Sequence, residues 1–366
     1  MKKIIFVWDN FGPIHNDRAS AVAERYPEAE IIGLELYSRS ETYDWIPEMS
    51  ESYKKITINS VKKESELSIF FKLVSLCLKN KGAHVFFCHY ERWYIFATAL
   101  ILRGLNFHVY VMNDSKFDDY ERNIFRELIK FAFYTPYNGG LASGVRAKDY
   151  LRFLGVPKDK IKTNYNSLSL SRVRRDSSSV PAPNGTKFQD RYFLIIARLV
   201  EKKNLFVALD AYKKYINLGG WRSLKILGSG PLKDDLISYV NILGLNDNVI
   251  FCGFVQTESV AKELGNGLCV LLLSTEEQFG IVIIEAQAMG LPCIVSVQCG
   301  ARDQLIRTGV NGFIVEESNS DGVSLFMRML CENESMWVNM CDQVNKMAYQ
   351  GDVSVFSDAV HALVSE

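Results

Sequence analysis

Short apolar runs rich in β-branched and aromatic residues alternate with helical patterns along most of the 366-residue chain. Such alternation predicts parallel sheets covered by helices on both faces, the doubly wound α/β class. In the first half the pattern predicts strands at 4–8, 30–36, 84–89 and 107–113, with helices at 17–26, 64–80 and 91–103. The alternation restarts after residue 190, where strands are predicted at 192–197, 223–228, 248–253, 268–274 and 292–297.

The two halves are separated by residues 167–190, which are rich in Ser, Pro, Arg and Asp and poor in aliphatic side chains. Because the chain is too long for one ordinary core, we expect two domains. We predict domains at 1–170 and 191–345, a linker at 171–190 and a C-terminal helix within 346–366. Two doubly wound domains in tandem would place ligands at the carboxyl ends of their strands, facing a shared cleft.

The composition, with 48% apolar and 23% charged residues, is that of a globular protein. The N-terminus has a short apolar run without the long hydrophobic region and cleavage site of a signal peptide, so it is interpreted as a first strand. No apolar stretch reaches the roughly 18 residues needed to span a bilayer. The eight cysteines form no CxxC pair, which is typical of buried thiols in a reducing compartment. We therefore expect a cytoplasmic protein.

The net charge of zero hides an asymmetry between the halves. Residues 1–175 contain 27 Lys and Arg against 20 Asp and Glu, and the remainder has the opposite excess. Different partners for the two domains would explain this split, and so would drift in surface composition. The aromatic residues are spread among the strands, so we expect no nucleic acid partner. Neither a P-loop nor a GxGxxG after the first strand is present.

The most informative segment is 274–316. A buried strand ends at Ser274, a polar loop follows, and a helix is predicted to open near Phe279–Gly280. Free N–H groups at a helix start attract phosphate, and a glycine lets a ligand approach the backbone. Glu277 and Glu285 are expected on a similar face of that helix, two turns apart. Carboxylates accept hydrogen bonds from sugar and ribose hydroxyls. An amphipathic helix with two solvated glutamates would show the same spacing. An unpaired charge inside the apolar run around Glu285 would be costly, which weighs against that alternative.

This segment resembles the signature of the retaining GT-B glycosyltransferases of family 4. Their pattern is E-x-F-G-[ILV]…E with seven residues between the carboxylates, then a Gly-Leu-Pro turn and a later Asn-Gly-hydrophobic tripeptide. The matching residues here are Glu277, Phe279, Gly280, Ile281, Glu285, Gly290-Leu291-Pro292 and Asn311-Gly312-Phe313. Segments 195–204, 224–236 and 249–255 also match in order. The resemblance covers residues 143–350 closely and 1–142 in outline.

The resemblance implies a GT-B fold with an N-terminal acceptor-binding domain and a C-terminal nucleotide-sugar donor-binding domain. In this family the terminal helix commonly crosses back onto the N-terminal domain. The resemblance also implies that Arg198 and Lys203 hold the donor diphosphate and stabilise the charge that develops on it. Glu277 would contact the donor sugar and Glu285 the ribose, and these roles make Arg198, Lys203 and Glu277 the catalytic residues. The implied donor-binding set is Gly12, Arg198, Lys203, Gly228, Val255, Glu277, Phe279, Gly280, Ile281 and Glu285.

On the acceptor side the candidates are His15, His89, Asn113 and Asp114, which lie at or after predicted strand ends. His89 stands where the family often has a histidine, and a structural hydrogen bond at a strand end would explain it equally well. Asn113 and Asp114 end the strand at which a His-Asp pair is frequent in the family.

The implied function is retaining, metal-independent hexosyl transfer from a UDP- or GDP-type sugar nucleotide to an acceptor hydroxyl, without a cofactor. Surface polysaccharide or glycolipid assembly, with a saccharide or lipid-linked acceptor, is the expected setting. The alternatives are a catalytically silent sugar-nucleotide-binding subunit, or another GT-B enzyme such as a nucleotide-sugar epimerase. The pairs Asp118–Asp119 and Asp234–Asp235 are interpreted as solvated carboxylates at helix starts rather than metal ligands.

Segments 123–134 and 68–81 interleave large apolar side chains with cations. Basic amphipathic segments can lie on an anionic membrane, so peripheral association at the inner membrane face is one interpretation. The other is that both are helices packed into the N-terminal domain. This second interpretation is favoured because Ile, Leu and Phe at helical spacing are typical of a core.

Overall fold

The computed structural model describes residues 2–38, 51–59 and 65–365. The chain divides into two compact units, which we call unit 1 (Met1–Ser169 with Val353–Glu366) and unit 2 (Leu170–Asp352). The stretch predicted as a linker, 171–190, lies inside unit 2, where it begins with a helix and contacts its neighbours. The C-terminal helix lies with unit 1.

Thirteen strands of the described residues form two sheets. Their bounds are β1 Lys3–Trp8, β2 Glu30–Tyr37, β3 Lys54–Asn59, β4 His84–Phe87, β5 His108–Asn113, β6 Gly139–Ala142, β7 Ile161–Lys162, β8 Tyr192–Ile196, β9 Leu224–Leu227, β10 Val249–Gly253, β11 Gly267–Leu272, β12 Cys293–Ser296 and β13 Gly312–Val315. Unit 1 has the order β3-β2-β1-β4-β5-β6-β7, and unit 2 has β10-β9-β8-β11-β12-β13. All neighbouring strands within the described sheets pair in parallel, which confirms the predicted doubly wound class.

Helices connect the strands and cover both faces of each sheet. Their bounds are α1 Pro13–Arg25, α2 Glu66–Leu78, α3 Trp93–Gly104, α4 Ile124–Tyr134, α5 Val145–Phe153, α6 Leu170–Ser177, α7 Leu205–Asn217, α8 Lys233–Ile242, α9 Thr257–Gly265, α10 Val282–Ala288, α11 Arg302–Leu305, α12 Ser320–Glu332, α13 Glu334–Met347 and α14 Val353–Val364. The region after residue 345 is not one continuous helix, because a short 3₁₀ turn at Ala348–Gly351 separates α13 from α14.

The strands are apolar on both faces because helices cover both, as expected for parallel sheets. In unit 1 one core cluster lies between the sheet and α2, α3 and α5. The other lies between the opposite face and α1 and α14. The cysteines are free thiols, and all except the half-buried Cys252 are buried, as the sequence predicted.

The sequence pattern missed β3, β6, β7 and β13. In β6 the residues are Gly-Gly-Leu-Ala, which show no β-branched or aromatic signal. Glycine is required because the backbones approach closely: a Cβ on Gly139 would lie 2.4 Å from the carbonyl oxygen of Lys160, and one on Gly140 would lie 2.8 Å from Val111 Cγ1. This constraint comes from neighbouring strands, so local propensity does not reveal it.

The C-terminal helix α14 completes the core of unit 1. Phe356 is fully buried, with ring centroids 5.8 Å from Phe6 and 6.4 Å from Tyr165. Near the end of α14, the carbonyl oxygen of Leu363 accepts a hydrogen bond of 2.8 Å from the hydroxyl of Tyr110. The core on this side of the sheet is therefore built from residues at both ends of the chain.

We expect Phe356→Ala to lower the free energy of unfolding of unit 1 by about 3–5 kcal/mol, because it removes a buried aromatic side chain and leaves a cavity. Urea unfolding followed by circular dichroism measures this change. The control is Phe125→Ala in the same unit, where the side chain is 73% exposed and the change should stay within about 0.5 kcal/mol. Equal losses in the two variants would contradict the role of α14.

Candidate functional site

In the sheet of unit 2, the order in which the chain adds strands reverses between β8 and β11. From β8 the chain adds strands outward to β9 and β10, and then returns to place β11 on the other side of β8. In open α/β sheets the loops that leave the two strands at such a point diverge and open a crevice for ligands. The loops after β8 and β11 carry Lys203 and Glu277, so the motif residues of the sequence meet at this point.

Lys203 and Glu277 form an ion pair across this point. The Lys203 ammonium donates to Oε2 of Glu277, and the two side chains are only 14% and 13% exposed. The hydroxyl of Ser274 donates to the same carboxylate oxygen over 3.1 Å. Since a partly buried carboxylate needs such partners, the pair and the serine fix both side chains in place.

Main-chain contacts tie the same two loops together. The Thr275 N–H donates to the carbonyl oxygen of Lys202 over 2.9 Å. Asn204, held at a left-handed φ of 56°, donates through Nδ2 to the carbonyl oxygen of Leu273 over 3.0 Å. The two loops are therefore held together by hydrogen bonds to main-chain carbonyl oxygens as well as by the ion pair.

The prediction that Glu277 and Glu285 share a helix face is wrong. Helix α10 begins at Val282, so Glu277 lies five residues before it, where its backbone forms a parallel bridge with Cys299. Glu285 is in the first turn of α10 and is partly buried. This long-range pairing fixes Glu277 outside the helix, which begins later than the local pattern indicated.

Between the bridge and the helix, the chain turns tightly. Phe279 is buried, and its carbonyl oxygen accepts from the Ala301 N–H over 2.8 Å. Gly280 has a φ of 102°, and a Cβ there would lie 2.8 Å from Cδ2 of Leu272. Ile281 is the residue that precedes α10, and its carbonyl oxygen accepts from the Ile284 N–H over 2.8 Å.

The other predicted donor-side residues of unit 2 lie at the same edge of its sheet. Arg198 follows β8 by two residues and is exposed, and Val255 follows β10 by two residues and is partly exposed. Gly228, directly after β9, has a φ of 145°, and a Cβ there would lie 1.9 Å from the carbonyl oxygen of Ala197. Gly12, by contrast, lies in unit 1.

Unit 1 repeats this construction at its own switch point, between β1 and β4. Oδ2 of Asp9, directly after β1, accepts from the Arg92 guanidinium over 2.5 Å and lies 3.5 Å from Nε2 of His89. His89 itself has a left-handed φ of 57°. Sequence reasoning named His89 but missed Asp9 and Arg92, although Asp9 stands at the carboxyl end of the first predicted strand.

The two histidines here have opposite electrostatics. For His89, burial opposes ionisation, but the hydrogen bond to Glu91 and the charges of Asp9 and Glu91 outweigh it and raise the pKa. For His15, burial and the positive charge of Arg18 hold the pKa well below its ordinary value. Nδ1 of His15 accepts from the Gly12 N–H over 3.1 Å, which places the proton of the neutral ring on Nε2.

Asn113 and Asp114 are held within unit 1. Asn113 is buried and donates through Nδ2 to the carbonyl oxygen of Ser115 over 2.7 Å. Oδ1 of Asp114 accepts from Nδ2 of Asn166 over 2.6 Å. Burial raises the pKa of Asp114, against the opposing effect of the Arg18 charge.

The interpretation of Asp119 as a solvated carboxylate is wrong. It is buried and forms an ion pair of 2.8 Å with the buried Lys116, while Asp118 pairs with Arg146 at 2.6 Å. Asp234 and Asp235 are exposed in the first turn of α8, as predicted. In the described part of the chain, no cluster of three or more His, Cys, Asp or Glu side chains could hold a metal ion. No helix among those residues is long and apolar enough to cross a membrane.

Substitution at Gly280 tests the tight turn of this site. Gly280→Ala should lower the free energy of unfolding by about 1–2 kcal/mol because of the left-handed backbone. Crowding of the new Cβ against Leu272 should lower it by a further 1–3 kcal/mol, roughly. Gly309→Ala is the matched control, because Gly309 has a φ of 78° and nothing lies within 4 Å of a Cβ there. Urea unfolding of both variants measures the difference, and equal losses would contradict the crowding at residue 280.

Residues 177–351 match the family model described as Glycosyl transferases group 1. An N-acetyl-alpha-D-glucosaminyl L-malate synthase of Bacillus anthracis is 28% identical over 196 residues, which are 53% of this chain and 50% of that protein. A lipopolysaccharide 1,6-galactosyltransferase of Salmonella typhimurium is 30% identical over 187 residues, 49% of this chain and 48% of that protein. The chain thus spans about half the length of the curated relatives it matches.

The crystal structure of Anabaena Alr3699/HepE in complex with UDP and glucose superposes on the whole chain with a TM-score of 0.74. The match covers 100% of both chains at 14% identity, so it shows the fold alone. The chain therefore has the GT-B fold, and its residues 177–351 match the glycosyl transferases group 1 family model.

Proposed function

We propose that the protein is a retaining, metal-independent glycosyltransferase that moves a sugar from a nucleoside diphosphate donor to an acceptor hydroxyl. The observation that carries the proposal is the Lys203–Glu277 ion pair at the switch point of unit 2. A carboxylate beside a cation suits a ligand that has both a diphosphate and hydroxyl groups.

In this proposal Lys203 and Arg198 bind the diphosphate, together with the backbone N–H groups of Gly280 and Ile281. Before the donor binds, Glu277 holds the Lys203 ammonium in position. When the donor binds, its diphosphate pairs with the Lys203 ammonium in place of Glu277. The Glu277 carboxylate is then able to accept hydrogen bonds from the sugar. Glu285 accepts from the ribose, and the main chain near Val255 holds the base.

The proposed reaction proceeds on one face of the sugar. The bond between the anomeric carbon and the phosphate oxygen breaks, and the acceptor oxygen bonds to that carbon from the same side. The acceptor proton passes to the departing phosphate oxygen, whose negative charge Arg198 and Lys203 stabilise without metal. No protein nucleophile is then needed, and the anomeric configuration of the product, determined by NMR, tests this retention.

A UDP- or GDP-type donor is proposed because residues 177–351 match the glycosyl transferases group 1 family model, and because the similarly folded HepE structure is a complex with UDP and glucose. The acceptor is proposed to be a saccharide or lipid-linked saccharide in surface polysaccharide or glycolipid assembly, in line with the galactosyltransferase relative. On the acceptor side, unit 1 offers the His89–Asp9–Arg92 cluster and His15. Asn113 and Asp114 are engaged with neighbouring groups and are proposed to support this region rather than to react.

Lys203→Ala and Arg198→Ala should each lower turnover by at least about 100-fold, because each removes a charge that stabilises the departing diphosphate. Release of nucleoside diphosphate from UDP- and GDP-sugars, with and without saccharide acceptors, measures this. Lys202→Ala is the matched control, since Lys202 lies in the same 3₁₀ turn with an exposed side chain. An unchanged rate for Lys203→Ala, or an equal loss for Lys202→Ala, would refute the assignment.

Activity should survive EDTA, because the proposed diphosphate contacts are side-chain cations and backbone N–H groups. The assay is the same nucleotide release, measured after dialysis against the chelator and again after Mg²⁺ or Mn²⁺ is restored. Complete loss that metal reverses would overturn metal independence.

A further inference from the structure

Helix α4 is oriented with its charged side towards the protein. Glu127 is buried, and its carboxylate accepts from the Tyr150 hydroxyl over 2.5 Å and from the Lys130 ammonium over 2.8 Å. The Arg122 guanidinium, also buried, lies 3.4 Å from the same carboxylate. Tyr134, two turns after Glu127 on the same side, is buried too. This network fixes the rotation of α4 about its axis.

The opposite side of α4 is apolar and exposed. Ile124 is 52% exposed, Phe125 73%, Leu128 61% and Ile129 63%. At 3.6 residues per turn these four side chains share an arc of about 140°. The expectation that this segment packs its apolar residues into the core is therefore wrong, because the charged network takes the inward positions.

The neighbouring helices extend this apolar surface. On α2, Leu67 is 59% exposed and Phe71 66%, and on α3, Trp93 is 42% and Leu100 44% exposed. Aromatic contacts link the three helices, with ring centroids 5.5 Å apart for Phe70–Trp93 on α2 and α3, and 4.8 Å apart for Phe96–Phe133 on α3 and α4. We call the exposed side of these three helices the α2–α4 face. A helix that is apolar all round, as α3 is, normally lies in a core or in contact with lipid.

The charges within the three helices of the α2–α4 face are mainly positive. Within the three helices the charged residues are Lys72, Arg103, Arg126 and Lys130 against Glu66 and Glu127. Glu127 is buried, and Glu66 accepts a hydrogen bond of 2.5 Å from the Trp93 indole. The exposed Arg103 and Arg126 therefore border an apolar surface on which Glu66 is the exposed carboxylate of the three helices.

We propose that the α2–α4 face docks on the surface of an anionic phospholipid bilayer. Apolar side chains would enter the region between headgroups and acyl chains, and Arg103 and Arg126 would pair with lipid phosphates. Trp93 suits this depth, because indole rings favour the membrane interface. A second copy of the chain suits the face less well, since a symmetric dimer would bring its cations together. A lipid-linked acceptor, included in the proposed function, would be presented at such a surface.

The test is co-sedimentation with vesicles of pure phosphatidylglycerol and of pure phosphatidylcholine, at low and high salt. The wild-type chain should bind phosphatidylglycerol, with weaker binding at high salt because the screening length shortens. Phe125→Ser/Leu128→Ser should lower the partition coefficient at least about tenfold, because less apolar surface enters the membrane. Arg126→Glu should weaken binding to phosphatidylglycerol and reduce its dependence on salt.

Trp221→Ser/Ile242→Ser is the matched control, because these side chains are 57% and 79% exposed in unit 2. It should bind as the wild type does, and circular dichroism should show that all variants keep their fold. Absence of binding to phosphatidylglycerol, or an equal loss in the control, would overturn the proposal. So would a dimer in sedimentation velocity that Phe125→Ser/Leu128→Ser dissociates without any vesicle binding. The assay contains neither donor nor acceptor, so its failure is distinct from failure of the proposed transferase activity.

Discussion

The ion pair between Lys203 and Glu277 is the contact on which the candidate site of unit 2 depends. It joins the loops after β8 and β11, the two neighbouring strands from which the chain proceeds in opposite directions. Both side chains are largely buried, so each supplies the opposite charge that the other needs while no ligand is bound. Ser274 and the backbone bridge of Glu277 to Cys299 hold the carboxylate against the ammonium. In the proposed function, the donor diphosphate supplies the negative charge that pairs with Lys203 in place of that carboxylate.

The two units use one physical scheme for different chemistry. In each, parallel strands bring loop residues together at the point where the strand order reverses, although those residues are far apart in the chain. In unit 2 the result is one cation paired with one carboxylate. In unit 1 it is one carboxylate, Asp9, shared by Arg92 and His89, which keeps a histidine of raised pKa at the strand end. Unit 2 thus presents a cation whose partner is a single carboxylate, and unit 1 presents a histidine whose pKa is raised by neighbouring carboxylates.

The sequence predicted the parts of this arrangement that depend on local pattern. The strands around the motif, the donor-side loops and the buried thiols follow from apolar runs and their spacing. Three other features depend on partners that are distant in sequence, so no local pattern contains them. They are the backbone bridge of Glu277, the contact between Asp9 and Arg92, and the two glycines that begin β6. The rotation of α4 is the clearest case. Its apolar residues have the spacing of a core helix, yet Arg122 and Tyr150, which bind Glu127, lie outside it and turn those residues outward.

The central claim is that unit 2 binds a nucleoside diphosphate through Lys203, and calorimetric titration with UDP and with GDP tests it most directly. The account predicts that one of them binds with a stoichiometry near one. It also predicts that Lys203→Ala weakens this binding by roughly 10–100-fold, the effect of losing a hydrogen bond to a charged group, while Lys202→Ala leaves it unchanged. If neither nucleotide binds, or if Lys203→Ala binds as tightly as the wild type, the account is contradicted.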